Sequence, residues 1–359
     1  MSELTSTKKI EWLQIMRGLA TIFVVFGHIV LLKYQSDSVD LISGIIYLFH
    51  MPLFFAMSGF LFGFKEIVHP SAYIIKKKLI VLGIPYLVFS ALYIVMKILL
   101  QNIVRVESEV AWIDLIRLFF FPANGDSVNW YWFLYALIFY FIVFALVKNK
   151  KNITFVLIFL SVLIFFIWKG KYYMVINGCF QRSIGYMFCF GIAIFLGKKY
   201  SENQSALNSK KLIICYFVLS GIFLFLAPIY LKKIEANLFI QTFGGILVAF
   251  ARLFFLLSGI CLTYILSLLF RNTRILKRCI LIIADYSLYI YLLHSYALNL
   301  VRNIIVRFDI SVWIYVLINL LSGVYIPIIL GLIIKKIPIF EFFFYPGKYI
   351  KIQEKKNND

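Results

Sequence analysis

The feature that most limits what this chain can become is a run of apolar residues, long enough to cross a bilayer, repeated along its length. A hydrocarbon core of about 30 Å is crossed by about 20 helical residues. Ten runs meet or approach that length: 15–34, 41–63, 79–101, 130–147, 153–168, 182–197, 212–231, 245–270, 280–301 and 311–334. In lipid every backbone polar group must be satisfied within the chain, which leaves helices for runs of this kind. The expected fold is therefore all-α and integral to a membrane, with about ten transmembrane helices. Composition agrees: 63% of residues are hydrophobic and 14% charged, against about 25% charged in a soluble domain. A soluble enzyme, a disordered protein and a nucleic-acid-binding domain are excluded. Five cysteines without a C-x-x-C pair suggest neither a disulfide framework nor a thiolate metal site. No internal repeat or linker divides the chain, so residues 1–359 are read as one membrane domain. About 15–334 form its transmembrane region and 335–359 a basic tail.

The formal charge of +20 would point to a polyanion in a soluble protein, but here it reports topology. With ten crossings the two termini share a side. Between spans, 23 Lys and Arg fall on the side of the termini and nine on the other. The excess marks the cytoplasmic face, so both termini are expected in the cytoplasm. The first run is too long for a signal peptide, and Lys33-Tyr34-Gln35 rather than a small-residue cleavage site follows it. The loop 102–129 carries four acidic residues and an apolar stretch from Ile113 to Phe121, a pattern that suits an interfacial segment on the outer side.

Besides Lys33, counted with the outer side at the end of the first run, four basic residues remain inside the spans: Arg17, Lys97, Arg182 and Arg252. Ionisable groups within the membrane default to functional hypotheses. Arg17 and His28 are eleven residues apart, about three full turns, so they share a helix face about 16 Å apart along the axis. Arg17 then lies near the cytoplasmic surface and His28 at mid-depth. That span is comparable to an extended pantetheine arm, so Arg17 suits the phosphates of a thioester cofactor and His28 its acyl end. Equally, Arg17 is a positive-inside anchor and His28 a packing histidine. His50 and His294 fall at similar depth and suggest a polar chamber, or are helix–helix hydrogen-bonding residues. Three histidines also suit zinc, but no i,i+4 pair occurs and no metal is expected. Arg182 and Arg252 suit contact with an anionic or sugar-bearing acceptor, or snorkel to the outer interface. Trp132 begins a span among aromatics that serve as an interfacial belt or a sugar-stacking face. Ser58-Gly59 allows close helix packing or room for a cofactor arm. Asp285 is expected to pair with a nearby Lys or Arg.

These residues resemble the acyltransferase-3 superfamily of integral membrane acyltransferases, which acylate envelope polysaccharides and lipopolysaccharide in bacteria. Arg17 and His28 match the family's hallmark of Arg or Lys, ten residues, then His. The stretch His50-Met51-Pro52-Leu53-Phe54-Phe55-Ala56-Met57-Ser58-Gly59-Phe60 is similar to its second-helix signature. Lys76-Lys77-Lys78, Pro85-Tyr86, Trp132-Phe133-Leu134-Tyr135 and Ser287 to His294 continue the likeness. Many members carry an acid three positions before the Arg, where this chain has Gln14. The family's paired arginines before the third span are here lysines, which carry the charge without the bidentate fork.

The resemblance implies an O-acetyltransferase of the bacterial cytoplasmic membrane, with acetyl-CoA as donor. It implies as acceptor a hydroxyl of an exopolysaccharide, an O-antigen or other cell-surface polysaccharide, or its lipid-linked precursor. His28 would be the general base or a transient acyl carrier. Arg17, Lys76, Lys77 and Lys78 would bind the CoA phosphates, beside Ser58. His50, His294, Trp132, Arg252 and Arg182 would shape the acceptor side. No nucleic-acid partner is expected. The alternative is an exporter of a glycan or its lipid-linked precursor, which has no evident use for the Arg17–His28 face.

Overall fold

The computed structural model describes residues 10–31, 34, 36–100, 112–120, 131–169, 178–205, 207, 209–235 and 245–349. Every regular element among them is a helix. In chain order they are α1 (Glu11–Gly27), α2 (Asp37–Tyr47), α3 (His50–Leu61), α4 (Ser71–Leu100), α5 (Ile113–Phe120), α6 (Trp132–Val147) and α7 (Lys151–Lys169). There follow α8 (Gly178–Glu202), α9 (Lys210–Ile229), α10 (Gly245–Phe270), α11 (Arg274–Asp285), α12 (Ser287–Ile305), α13 (Val312–Ile334) and α14 (Pro338–Phe344). Two π-helical turns, Phe62–Glu66 and Tyr230–Glu235, extend α3 and α9. Among the described residues, five stretches are long and apolar enough to cross a membrane: Asp37–Glu66, Ser71–Leu99, Lys210–Lys232, Gly245–Phe270 and Val312–Ile334. Trp132–Val147 and Lys151–Ile167 are apolar but shorter.

Three of the expected runs are interrupted, each for a visible reason. The run 15–34 is helical only to Gly27, a residue with weak helical preference. His28 then takes φ −96° and ψ 6°, while its amide still bonds Val24 and Val25. Arg17 and His28 are thus joined by unbroken helix, and the chain departs only after His28. The run 41–63 breaks at Leu48–Phe49, where amides bond carbonyls three residues back, Ile45 at 3.3 Å and Ile46 at 3.2 Å. This tight turn sends Phe49 into the core, 2% exposed and edge-on to Phe23 and Phe223. The run 280–301 breaks at Tyr286 (φ −102°, ψ 9°), which separates α11 from α12. Of the loop 102–129, residues 112–120 are described: Trp112 and then α5, with Trp112, Ile113 and Ile116 exposed, while Leu115 packs against the buried Ile94 of α4.

The chain divides into two compact units. The first is Met1–Met57, Leu207–Asn237 and Ala251–Gly331. Its α1 is buried on most sides by Trp12, Ile15, Met16, Leu19 and Val25, and Gly18 lets α11 come so close that a Cβ there would collide with the Ile280 carbonyl. Val25, Ile290, Leu298, Tyr315 and Val324 form one core of this unit.

The second unit is Ser58–Ala206, Leu238–Phe250 and Leu332–Asp359. Here a Cβ on Gly59 or Gly63 would overlap the α8 backbone at Phe190 and Ile194, and one on Gly197 would overlap Phe60 of α3. The two backbones lie directly against each other, as small residues permit between membrane helices. Phe190, fully buried, then meets Phe62, Tyr140, Phe141 and Phe144. Tyr140 donates to the Ser183 carbonyl.

Candidate functional site

Within the first unit, three histidines gather where helices stop. His28 caps the end of α1, and His50 opens α3 just past the break after α2. His294 lies on α12, two turns from its start. The imidazoles of His28 and His294 are 5.1 Å apart between ring centroids. Tyr47, the last residue of α2, stands edge-on to His28 at 6.4 Å and to His50 at 5.0 Å. His50 and His294 are each only 3% exposed.

Two tautomers follow from hydrogen-bond chemistry. A carbonyl oxygen only accepts, so a ring nitrogen bonded to one must carry a proton. His294 Nδ1 lies 2.9 Å from the carbonyls of both Ile290 and Tyr291, and His50 Nδ1 lies 3.0 Å from that of Ile46. Both rings therefore donate from Nδ1, which leaves Nε2 as the acceptor nitrogen. In His294 that nitrogen is 3.4 Å from Ser295 Oγ. A histidine oriented by a backbone carbonyl on one nitrogen is set to work with the other. Among the described residues no group of three or more His, Cys, Asp or Glu is arranged to hold a metal.

Arg17 is held from two sides. It donates to Gln14 Oε1 at 2.6 Å, and lies 3.9 Å from Asp285 at the end of α11. Gln14 thus orients the guanidinium through a neutral acceptor, and Asp285 supplies the negative charge from another helix. The Arg17 side chain stays 35% exposed, so its charge is reachable. Glu11, on the opposite face of α1, pairs instead with Arg271 at 3.3 Å and Lys277 at 2.9 Å. Arg252 Nε donates at 3.1 Å to the hydroxyl of Tyr230, which is itself buried against Phe255.

The remaining candidates belong to the second unit. Lys76, Lys77 and Lys78 are consecutive on α4, so their side chains leave the helix about 100° apart. Lys78 turns inward. Its ammonium donates to Glu66 Oε1 at 2.9 Å, lies 2.7 Å from Oε2, and sits 3.9 Å over the Phe141 ring. Lys77 is 3.9 Å from Glu66 and Lys76 is exposed. Nearby, Lys148 donates to the carbonyls of Ile67 and His69, and Ser71 Oγ to that of Ala145 at 2.6 Å. The turn between the π-helix and α4 is fixed at both ends. Ser58 is half-buried beside the close-packed Gly59. Trp132 is 8% exposed. Arg182 lies in α8, with its side chain outside the described residues.

Residues 10–332 match the family model described as an acyltransferase domain, that of the acyltransferase-3 family. The chain belongs to that family. No match was found among curated proteins or among solved structures. The all-helical fold and the long apolar helices make it a membrane acyltransferase. Sequence reasoning did not find Tyr47, Tyr315 or Glu66 in this acyltransferase. Glu66 alone carried a signal: an acid within one loop of three lysines.

Proposed function

We propose that this membrane acyltransferase is an O-acetyltransferase that uses cytosolic acetyl-CoA to acylate a hydroxyl of an envelope polysaccharide or its lipid-linked precursor. In this reading about ten helices cross the bacterial cytoplasmic membrane as one domain, with both termini in the cytoplasm. The observation that carries it is the layout of the first unit. Unbroken helix joins an oriented, reachable guanidinium to an imidazole at the helix end, which stands beside a second, tautomer-fixed imidazole.

Arg17 binds phosphate oxygens of the donor, with Lys76 and Lys77 as further cations. Lys78, engaged by Glu66, supports the fold instead. His28 accepts the proton of the acceptor hydroxyl. The oxygen attacks the thioester carbonyl, the new C–O bond forms as the C–S bond breaks, and the imidazolium returns its proton to the departing thiolate. General-base catalysis of this kind contributes about 10²–10⁴-fold. His50, His294, Trp132, Arg252 and Arg182 shape the acceptor side.

The test combines two measurements. Envelope glycan from cells with and without the gene is compared by mass spectrometry, and purified full-length protein is assayed for thiol release from acetyl-CoA in the presence of that glycan. A gain of one acetyl mass per repeat, with glycan-dependent thiol release, is expected. Identical glycan masses with no thiol release overturn the assignment, and accumulation of unmodified glycan inside gene-deleted cells points to export.

A further inference from the structure

On either side of His28, a backbone carbonyl is taken by a tyrosine hydroxyl from another helix. The Tyr47 hydroxyl of α2 donates to the Gly27 carbonyl at 2.7 Å. The Tyr315 hydroxyl of α13 donates to the Val30 carbonyl at 2.9 Å. Between these two bonds lies the short segment in which the chain leaves α1. Because the helix stops, its last carbonyls lose their intrahelical donors. A backbone group left unsatisfied in hydrocarbon is strongly unfavourable. The cheapest repair available to the chain is to continue as helix. Ile29, Val30 and Leu31 are apolar and compatible with that, and the run reads as continuous in the sequence. One further turn would carry the following chain about 5.4 Å along the axis. The two hydroxyls oppose this by satisfying the carbonyls where the chain departs.

We propose that Tyr47 and Tyr315 are positioning residues for His28. They hold the non-helical segment 28–30 between two side-chain hydrogen bonds and so fix the imidazole against His294. Tyr47 acts twice, since its ring also stands edge-on to His28 and His50. Tyr315 is fully buried, and its ring lies 4.8 Å from that of Tyr34, whose hydroxyl reaches the Phe308 carbonyl at 3.2 Å. That second layer keeps Tyr315 from rotating away. The inference rests on the reading of His28 as the reacting base.

The experiment uses the full chain in detergent or nanodiscs, with Tyr47→Phe, Tyr315→Phe and the double variant. Phenylalanine removes only the hydroxyl and keeps the ring. Turnover is measured with acetyl-CoA and the envelope glycan. Diethyl pyrocarbonate reactivity of each histidine is read separately by mass spectrometry. Expected is a fall in kcat of about tenfold for each single variant, the cost of a misplaced reacting group, and a larger fall for the double. The donor KM should stay within about twofold, as for an interaction made only in the transition state. Reactivity at His28 should change severalfold, while that at His50 and His294 stays as in the wild type. A double variant with wild-type kcat and wild-type His28 reactivity overturns the proposal. Equal changes at all three histidines also overturn it, because they mark a general loss of packing. His28→Ala in the same assay separates the two ideas. If it keeps full turnover, the base assignment falls, while selective change at His28 in the tyrosine variants still establishes the positioning role.

Discussion

In the first unit His50 and His294 are met by backbone carbonyls, and the chain around His28 by tyrosine hydroxyls. In the second, Lys78 meets a carboxylate directly and an aromatic ring covers its ammonium. Neutral carbonyls hold the imidazoles of His50 and His294 through Nδ1, which leaves Nε2 as an acceptor. A full ion pair holds the lysine and uses up its charge. Buried ion pairs gain little net stability but cost a great deal when broken. Histidines held by neutral groups keep the freedom to exchange a proton. The contrast separates a place for chemistry from a structural lock.

Removal of His28 should break the comparison most sharply on the chemical side. His28→Ala is expected to lower glycan-dependent thiol release by about 10²–10⁴-fold with an unchanged unfolding temperature, both read on purified protein. The lock should respond the other way. Glu66→Ala leaves Lys78 facing Phe141 without its carboxylate and is expected to cost about 3 kcal/mol of stability. Turnover per folded molecule should change little. Replacing both partners by methionine should restore most of the stability, which a thermal unfolding series checks. A smaller effect distinguishes the lysines. Lys76→Ala should raise the donor KM a few-fold at constant kcat, whereas Lys78→Met should act on stability and leave that KM alone.

The smallest effect concerns a second pairing in the same unit. Burial of Glu341 opposes its ionisation, but hydrogen bonds from Lys348 at 2.7 Å and Tyr349 at 2.8 Å prevail and hold its carboxyl below the ordinary carboxylate range. A lowered carboxylate pKa contributes stability that is complete above the unfolded value and is lost as pH falls through the folded one. Melting temperature should therefore decline on acidification below the usual carboxylate range, and Glu341→Gln should flatten that decline. Parallel acid profiles for the two proteins would refute the pairing.

Much of the helical layout was legible because hydropathy over about 20 residues is decided by solvent alone. The interruptions were not. Gly27 sits inside an apolar run, and the donors that make a stop there tolerable, Tyr47 and Tyr315, are remote in the sequence. The pairing of Arg17 with Gln14 was within reach, since residues three apart on a helix are neighbours. Charge alone does not reveal it, because a neutral amide oxygen accepts as a carboxylate does. The three lysines looked like one cluster, yet consecutive helical residues point in different directions, and Glu66 claims the one that turns inward.

The contact of Gly59, Gly63 and Gly197 has a consequence for biogenesis. The lock of Glu66 with Lys78 needs only α3 and α4 and is available as soon as those two have left the ribosome. The glycine face needs α8, which is synthesised only after α4 to α7. Until then the nascent chain presents a bare strip of backbone to lipid or to the insertion machinery. Such a strip invites any passing small-residue helix, and substitutions there would reduce yield during synthesis before they altered a finished molecule.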